Sequence, residues 1–235
     1  MCGADQATIG VMVANALEHE LHAYGLARRV TTVVTRVRVD LQPADSRPTK
    51  PIGRYVAEDE ARKLSSLGQS FREYGARGWR RVVASPEPLE IVDSEAILSL
   101  VSVGAIVVAS RGGGVPVMDR GGMLEGVEAV MDKDLSGALL ARAVGADVFI
   151  IATDVEHAVT GFGTDSERPI HRTSPEELRR LQTEGHFGQG SMQPKVEASA
   201  RFVEAGGRRA VITSLDRIAE APDGGMGTVV EADTS

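Results

Sequence analysis

An α/β fold with a largely parallel sheet covered on both faces is the class this sequence predicts. Short runs rich in β-branched apolar residues, Ala105 to Ala109 (AIVVA), Val148 to Ala152 (VFIIA) and Ala210 to Thr213 (AVIT), have the composition of strands buried on both sides. Stretches of helical periodicity alternate with them, as in βαβ units. The 235 residues, 42% hydrophobic and 25% charged, are enough for one large or two small soluble globular domains.

Taken in order, Ile9, Met12, Val13, Ala16, Leu17, Leu21 and Tyr24 recur at helical spacing, predicting an amphipathic helix over 7–27. Thr31 to Asp40 (TTVVTRVRVD) alternates with the period of a half-buried strand. LQPADSRPTKPIGRY holds three prolines and reads as an irregular loop. A charged helix is expected over 57–75, then the basic strip ARGWRRVVASPEP. Residues 41–88 differ in character from their surroundings and read as an excursion from the main sheet. Beyond it come a helix near 93–103, the strand 105–109, a glycine-rich loop, a helix from Lys133 and the strand 148–152. A helix over 175–183, a second glycine-rich loop, a helix carrying Lys195 and the strand 210–213 complete the pattern.

The bulk properties exclude several classes. A formal net charge of −7 argues against a general nucleic-acid binder. Cys2 is the only cysteine, which rules out an internal disulfide or a cysteine-rich metal cluster and suits a reducing cytoplasm. No run of 18 apolar residues and no secretion signal is present, so neither a membrane span nor export is expected. Of the five histidines none forms an HExxH pair, and His19 and His22 read as solvated.

The chemistry is carried by lysines at helix starts. In GSMQPKVEASARF, Ser191 is the expected cap, Pro194 lies in the first turn and Lys195 follows it. In DKDLSGALLARAVG, Asp132 is the expected cap and Lys133 lies in the first turn. A cation there is mildly unfavourable against the helix dipole, but the free N–H groups attract anions and a lysine deepens that attraction. Two such starts point to a polyanion such as a nucleotide phosphate tail; for either lysine alone, a solvated surface position is the competing reading. Ligands of open α/β sheets bind beyond the strand carboxyl ends. That rule gathers Gly112, Gly113 and Gly114 after one strand, Thr153 and Asp154 after another, and both lysines. The glycines permit close backbone approach to phosphate, although neither GxGxxG nor GxxxxGK[ST] spacing occurs. Asp134 and Asp154 could hold Mg²⁺ or orient a lysine, and Asp134 equally suits the dipole of its helix. Lys50 is a loop lysine followed by Pro51. Trp79, flanked by Arg77, Arg80 and Arg81, reads as a packed tryptophan rather than a base-stacking platform.

The strings PTKPIG (48–53), RGWRRVV and SP (77–86), GGGVPV, GVEAVMDKDLSGALLA (126–141), TDV (153–155) and EGHFGQGSMQPKVEA (184–198) together resemble carbamate kinase, within the amino acid kinase fold. The resemblance covers nearly the whole chain. It implies a three-layer αβα sandwich around a mostly parallel sheet, with residues 41–88 as a protruding subdomain. It also implies a homodimer that transfers phosphate between ATP and carbamate, giving ADP and carbamoyl phosphate with Mg²⁺. By resemblance, Lys133 and Lys195 contact the transferring phosphate, Asp134 organises them, and Lys50 reaches in from the subdomain. Thr153 and Asp154 fall at the nucleotide edge, and Met192 and Pro194 beside the phosphates.

The departures are the family's GGNA-type and HGNGPQVG-type segments, which precede the region matched here, and the start within DQATIGV where SQGxIGY is usual. Arg111 stands at a usual glycine and Val159 at a usual tyrosine. The expectation is thus a single kinase domain lacking its N-terminal part. The alternative is an inactive relative that binds nucleotide or pairs with another subunit.

Overall fold

The computed structural model describes residues 2–40, 47–187 and 192–233. The chain divides into two compact units, one of Met1–Val92 with Val108–Asp132, the other of Asp93–Val107 with Lys133–Ser235.

In the first unit, helix α1 spans Cys2–Ala23. It buries a face the apolar periodicity does not select. Among its residues of described burial, Gln6, Gly10 and Ala14 are the buried ones, at i, i+4 and i+8, while Met12 and Tyr24 are 65% and 79% exposed. The reason is close approach: a Cβ on Gly10 would collide with the Thr32 side chain. The strand expected over 31–40 is broken into Val30–Thr32 and Arg36–Arg38, and between them the Thr35 N–H bonds the Gln6 side chain instead of a neighbouring strand. Arg36–Arg38 pairs antiparallel with Glu90–Ile91 and parallel with Val115–Arg120, which turns back as the antiparallel strand Met123–Gly126.

A separate antiparallel sheet follows the predicted excursion. Trp79–Val83 lies between Lys50–Val56 and Ser70–Glu73, accompanied by helix α2 (Glu58–Ser65). The charged helix expected over 57–75 therefore ends early; Gly68, at φ +87°, takes a left-handed conformation suited to terminating it. Trp79 is half-buried within this sheet.

In the second unit α3 (Ser94–Ser102), α4 (Lys133–Ala143), α5 (Pro175–Thr183) and α6 (Gln193–Glu204) accompany a four-stranded sheet. Val148–Thr153 pairs in parallel with Arg209–Ser214, setting Phe149 beside Ala210 and Ile151 beside Ile212. The sheet is mixed rather than parallel, since Thr228–Val230 runs antiparallel to Arg209–Ser214 and parallel to Arg172–Thr173. Strand alternation divides the core. Ala210 and Ile212 pack with Ala138, Leu178 and Phe202 of the helices, while Val211 faces the other way with Ala221 and Val229.

Candidate active site

In the second unit the two lysine-bearing helix starts are joined. Lys195 is 6% exposed, and its Nζ donates to Asp134 Oδ2 at 2.9 Å. Asp134, second residue of α4, is itself buried. The carboxylate thus sits where the α4 dipole favours it and supplies the counter-charge that the first turn of α6 lacks. Most of α6 is buried around Lys195, including Val196, Ala198, Ser199 and Phe202. An ammonium in such a setting requires a partner, because desolvation costs several kcal/mol per ion and only close geometry offsets it. Lys133, one residue before Asp134, is exposed. Ser191, the expected cap of α6, lies outside the described residues; Pro194 stands in the first turn as expected.

Lys195 also lines a cavity of about 480 Å³. Val159, Phe162 and Met192 give it apolar wall, and Thr153, Asp154 and Lys195 give it polar groups. The side chains of Thr153 and Asp154 are tied together, Oγ1 donating to Oδ1 at 3.0 Å. Three of the predicted nucleotide residues, Thr153, Asp154 and Met192, therefore share one cavity with Lys195, whereas Pro194 is not among its lining residues. Phe162 and His157 were not predicted as site residues, and neither carries a motif that would have marked it. His186 lies inside the quoted string EGHFGQGSMQPKVEA but carried no expected role; its Nδ1 accepts the Gly161 N–H at 3.2 Å, holding the turn before Phe162. A shallower depression of about 600 Å³ includes Arg180, but Glu177 and Glu184 already occupy that guanidinium.

In the first unit Lys50 Nζ donates to Asp132 Oδ2 at 2.9 Å and to the Met131 carbonyl at 3.1 Å. Asp132, expected as a cap, thus meets Lys50, and the next residue in the chain is Lys133. The glycine-rich loop runs Ser110 (φ +54°), Gly112 (+68°), Gly113 (+93°) and Gly114 (+97°). Gly113 lies against Met131 so tightly that a Cβ would come within 2.6 Å of the Met131 Cβ. The loop therefore supports the segment that anchors Lys50. Among the described residues, no cluster of three or more His, Cys, Asp or Glu side chains is arranged to hold a metal ion.

The amino acid kinase family model matches residues 10–214. The chain belongs to the amino acid kinase family. The carbamate kinase of Thermococcus kodakarensis is 49% identical over 227 residues, covering 96% of this chain and 72% of that protein. A carbamate kinase-like protein of Escherichia coli is 44% identical, with 96% and 73% covered. Among solved structures, carbamate kinase from Giardia lamblia bound to AMP-PNP superposes with a TM-score of 0.89 at 38% identity, covering 98% of this chain and 74% of that one. The mixed α/β architecture is that of this kinase family.

Two consequences follow from the geometry. Asp134→Ala strands the buried Lys195 ammonium and is expected to destabilise the fold by about 3–5 kcal/mol, read by denaturant unfolding. His157 supplies the second. Its Nε2 lies 3.1 Å from His171 Nδ1, and burial, then the His171 charge, hold the His157 imidazole below its usual range, with Glu156 opposing. The unfolded chain therefore binds a proton that the folded chain resists. Stability is expected to be complete above the ordinary imidazole pKa of about 6.5 and to fall as pH drops through the folded value. Thermal melts of the protein against His157→Gln should show this acid-side loss reduced in the variant.

Proposed function

We propose that this chain is a carbamate kinase, transferring phosphate reversibly between ATP and carbamate to give ADP and carbamoyl phosphate. The observation that carries the reading is the buried Lys195–Asp134 pair at the wall of the cavity that Thr153, Asp154 and Met192 line. A phosphoryl group in flight needs in-line positioning and cations around its equatorial oxygens rather than covalent help. Lys195, oriented by Asp134, is the fixed cation of this reading. Lys133, exposed at the start of α4, is a second, and Lys50, restrained by Asp132 and the Met131 carbonyl, is a third.

In the ATP-forming direction, a β-phosphate oxygen of ADP attacks the phosphorus of carbamoyl phosphate. The bond from phosphorus to the carbamate oxygen breaks, and carbamate leaves with the electron pair. Charge is conserved without a proton transfer, so the step calls for fixed cations rather than for a general base. The lysines stabilise the transferring group through a preorganised field. The apolar wall of Val159, Phe162 and Met192 suits a nucleobase, and Thr153 and Asp154 suit its ribose or phosphates.

Mg²⁺ belongs to this reading as the ion that nucleotide phosphates carry, where it neutralises their charge. Such an ion needs one or two carboxylates rather than a protein cage, and Asp154, one of the carboxylates lining the cavity, would hold it. The glycines of 112–114 are read as backbone that approaches an anion, and Pro194 as part of the helix start beside the phosphates. Residues 41–88 are read as a subdomain of one kinase domain, a reading supported by the small sheet that carries Lys50. The chain is further read as a cytoplasmic homodimer of arginine metabolism. The exposed apolar side chains Val11 and Met12 of α1 support a second copy, which sedimentation reads directly.

The test is ATP formation from ADP, Mg²⁺ and carbamoyl phosphate. The chain should turn over, and Lys195→Ala should lower kcat by about 10²–10³. Equal rates in the folded protein and the folded variant would reject the reading.

A further inference from the structure

Ser110 is the only non-glycine residue at positive φ among the described residues, at φ +54° and ψ +25°. A serine in this left-handed region is held there at a cost of roughly 1–2 kcal/mol, so something must hold it. The holding group is Thr35, whose side chain and backbone are fully buried. Thr35 Oγ1 accepts the Ser110 N–H at 2.8 Å and lies 3.0 Å from the Val33 carbonyl, to which it donates. Thr35 is fixed in turn by a residue far along the sequence. Gln6 of α1, 2% exposed, accepts the Thr35 N–H at 2.9 Å and donates to the Thr35 carbonyl at 3.3 Å. That carbonyl also accepts the Val115 N–H at 2.8 Å, just past the glycines. Thr35 thus grips both ends of the loop, at Ser110 and at Val115, and the Gln6 amide holds Thr35 from behind.

We infer that Gln6 and Thr35 are positioning residues for phosphoryl transfer, acting through the Ser110–Gly114 loop on the Met131 carbonyl that anchors Lys50. The route is contiguous. Gly113 packs on Met131 with no room for a Cβ, Met131 is 1% exposed, and its carbonyl oxygen takes one of the Lys50 N–H groups. A shift of the loop therefore moves the Lys50 anchor, because a close-packed core transmits such displacement. The arrangement also accounts for two features of α1. Its buried stripe is Gln6, Gly10 and Ala14, so that the helix comes close enough for the glutamine amide to reach Thr35. Its first turns carry a buried amide, at a position where helix propensity alone has no use for one.

Serving Lys50 catalysis makes this inference dependent on the carbamate kinase reading, and the test separates the two. Thr35→Val preserves shape but removes the acceptor for Ser110, while Thr35→Ser retains it. Amide hydrogen exchange is measured on the folded proteins, alongside steady-state ATP formation. Thr35→Val is expected to speed exchange at Ser110 and Gly113 by about tenfold or more. It should lower kcat by about 10- to 100-fold with little change in KM for ADP, and Thr35→Ser should restore both. Unchanged exchange in Thr35→Val overturns the loop-holding role whatever the activity does. Faster exchange with unchanged kcat, a loss in KM for ADP alone, or failure of Thr35→Ser to restore turnover overturns the positioning role. Should Thr35→Val fail to fold, Gln6→Met removes the same lock from the helix side, with the same expectations and the same contrary results. An inactive parent protein rejects the kinase reading and with it the positioning role, while exchange alone still decides whether Thr35 holds the loop.

Discussion

The candidate site of the second unit is built on one buried ion pair. Lys195 opens a helix whose surroundings are apolar, at an end where the backbone already presents positive charge. Neither the burial nor the dipole favours an ammonium there. Asp134 resolves both conflicts, and it can do so because α4 and α6 present their N-terminal turns to each other. A salt bridge of this kind is a poor source of stability, since hydrophobic residues of similar volume would pack as well without the desolvation cost. Its persistence at the wall of a cavity is better explained by what a held cation does to an anion that enters.

Lys50 repeats the logic with different means. Its Nζ is shared between a carboxylate and a backbone carbonyl, so its direction is set by the Asp132 side chain and the Met131 main chain rather than by burial. That main chain is seated on a glycine at φ +93°, and the glycine belongs to a loop whose first residue is a strained serine.

Much of this was legible in the sequence, and the failures are informative. Helix α5 was readable to the residue, because Ser174 caps it through its Oγ and proline opens it. Both lysine-bearing helix starts were legible from periodicity, with Pro194 in the first turn of α6. Their union was not, because Lys195 and Asp134 are 61 residues apart and periodicity carries no information on which helices meet. The burial of α1 was misread for a related reason. Apolar spacing selects Met12, Leu17 and Tyr24, but close approach to Thr32 requires Gly10, and contact with Thr35 requires Gln6. Tertiary fit overrode the hydrophobic pattern. The strand at 70–73 was lost because its charged residues, Arg72 and Glu73, extend the pattern of the helix before it, and only Gly68 marks the break. The strand Thr228–Val230, which lies inside the sheet and runs antiparallel to Arg209–Ser214, is three residues long, too short for periodicity to register.

The most direct test of the central claim replaces both members of the pair at once. In Lys195→Met/Asp134→Leu the buried charges vanish together and their volume is kept. If the pair exists for phosphate rather than for the fold, the double variant unfolds at the same or a higher denaturant concentration than the parent and no longer forms ATP from ADP and carbamoyl phosphate. A double variant that folds and retains parental turnover would contradict the account.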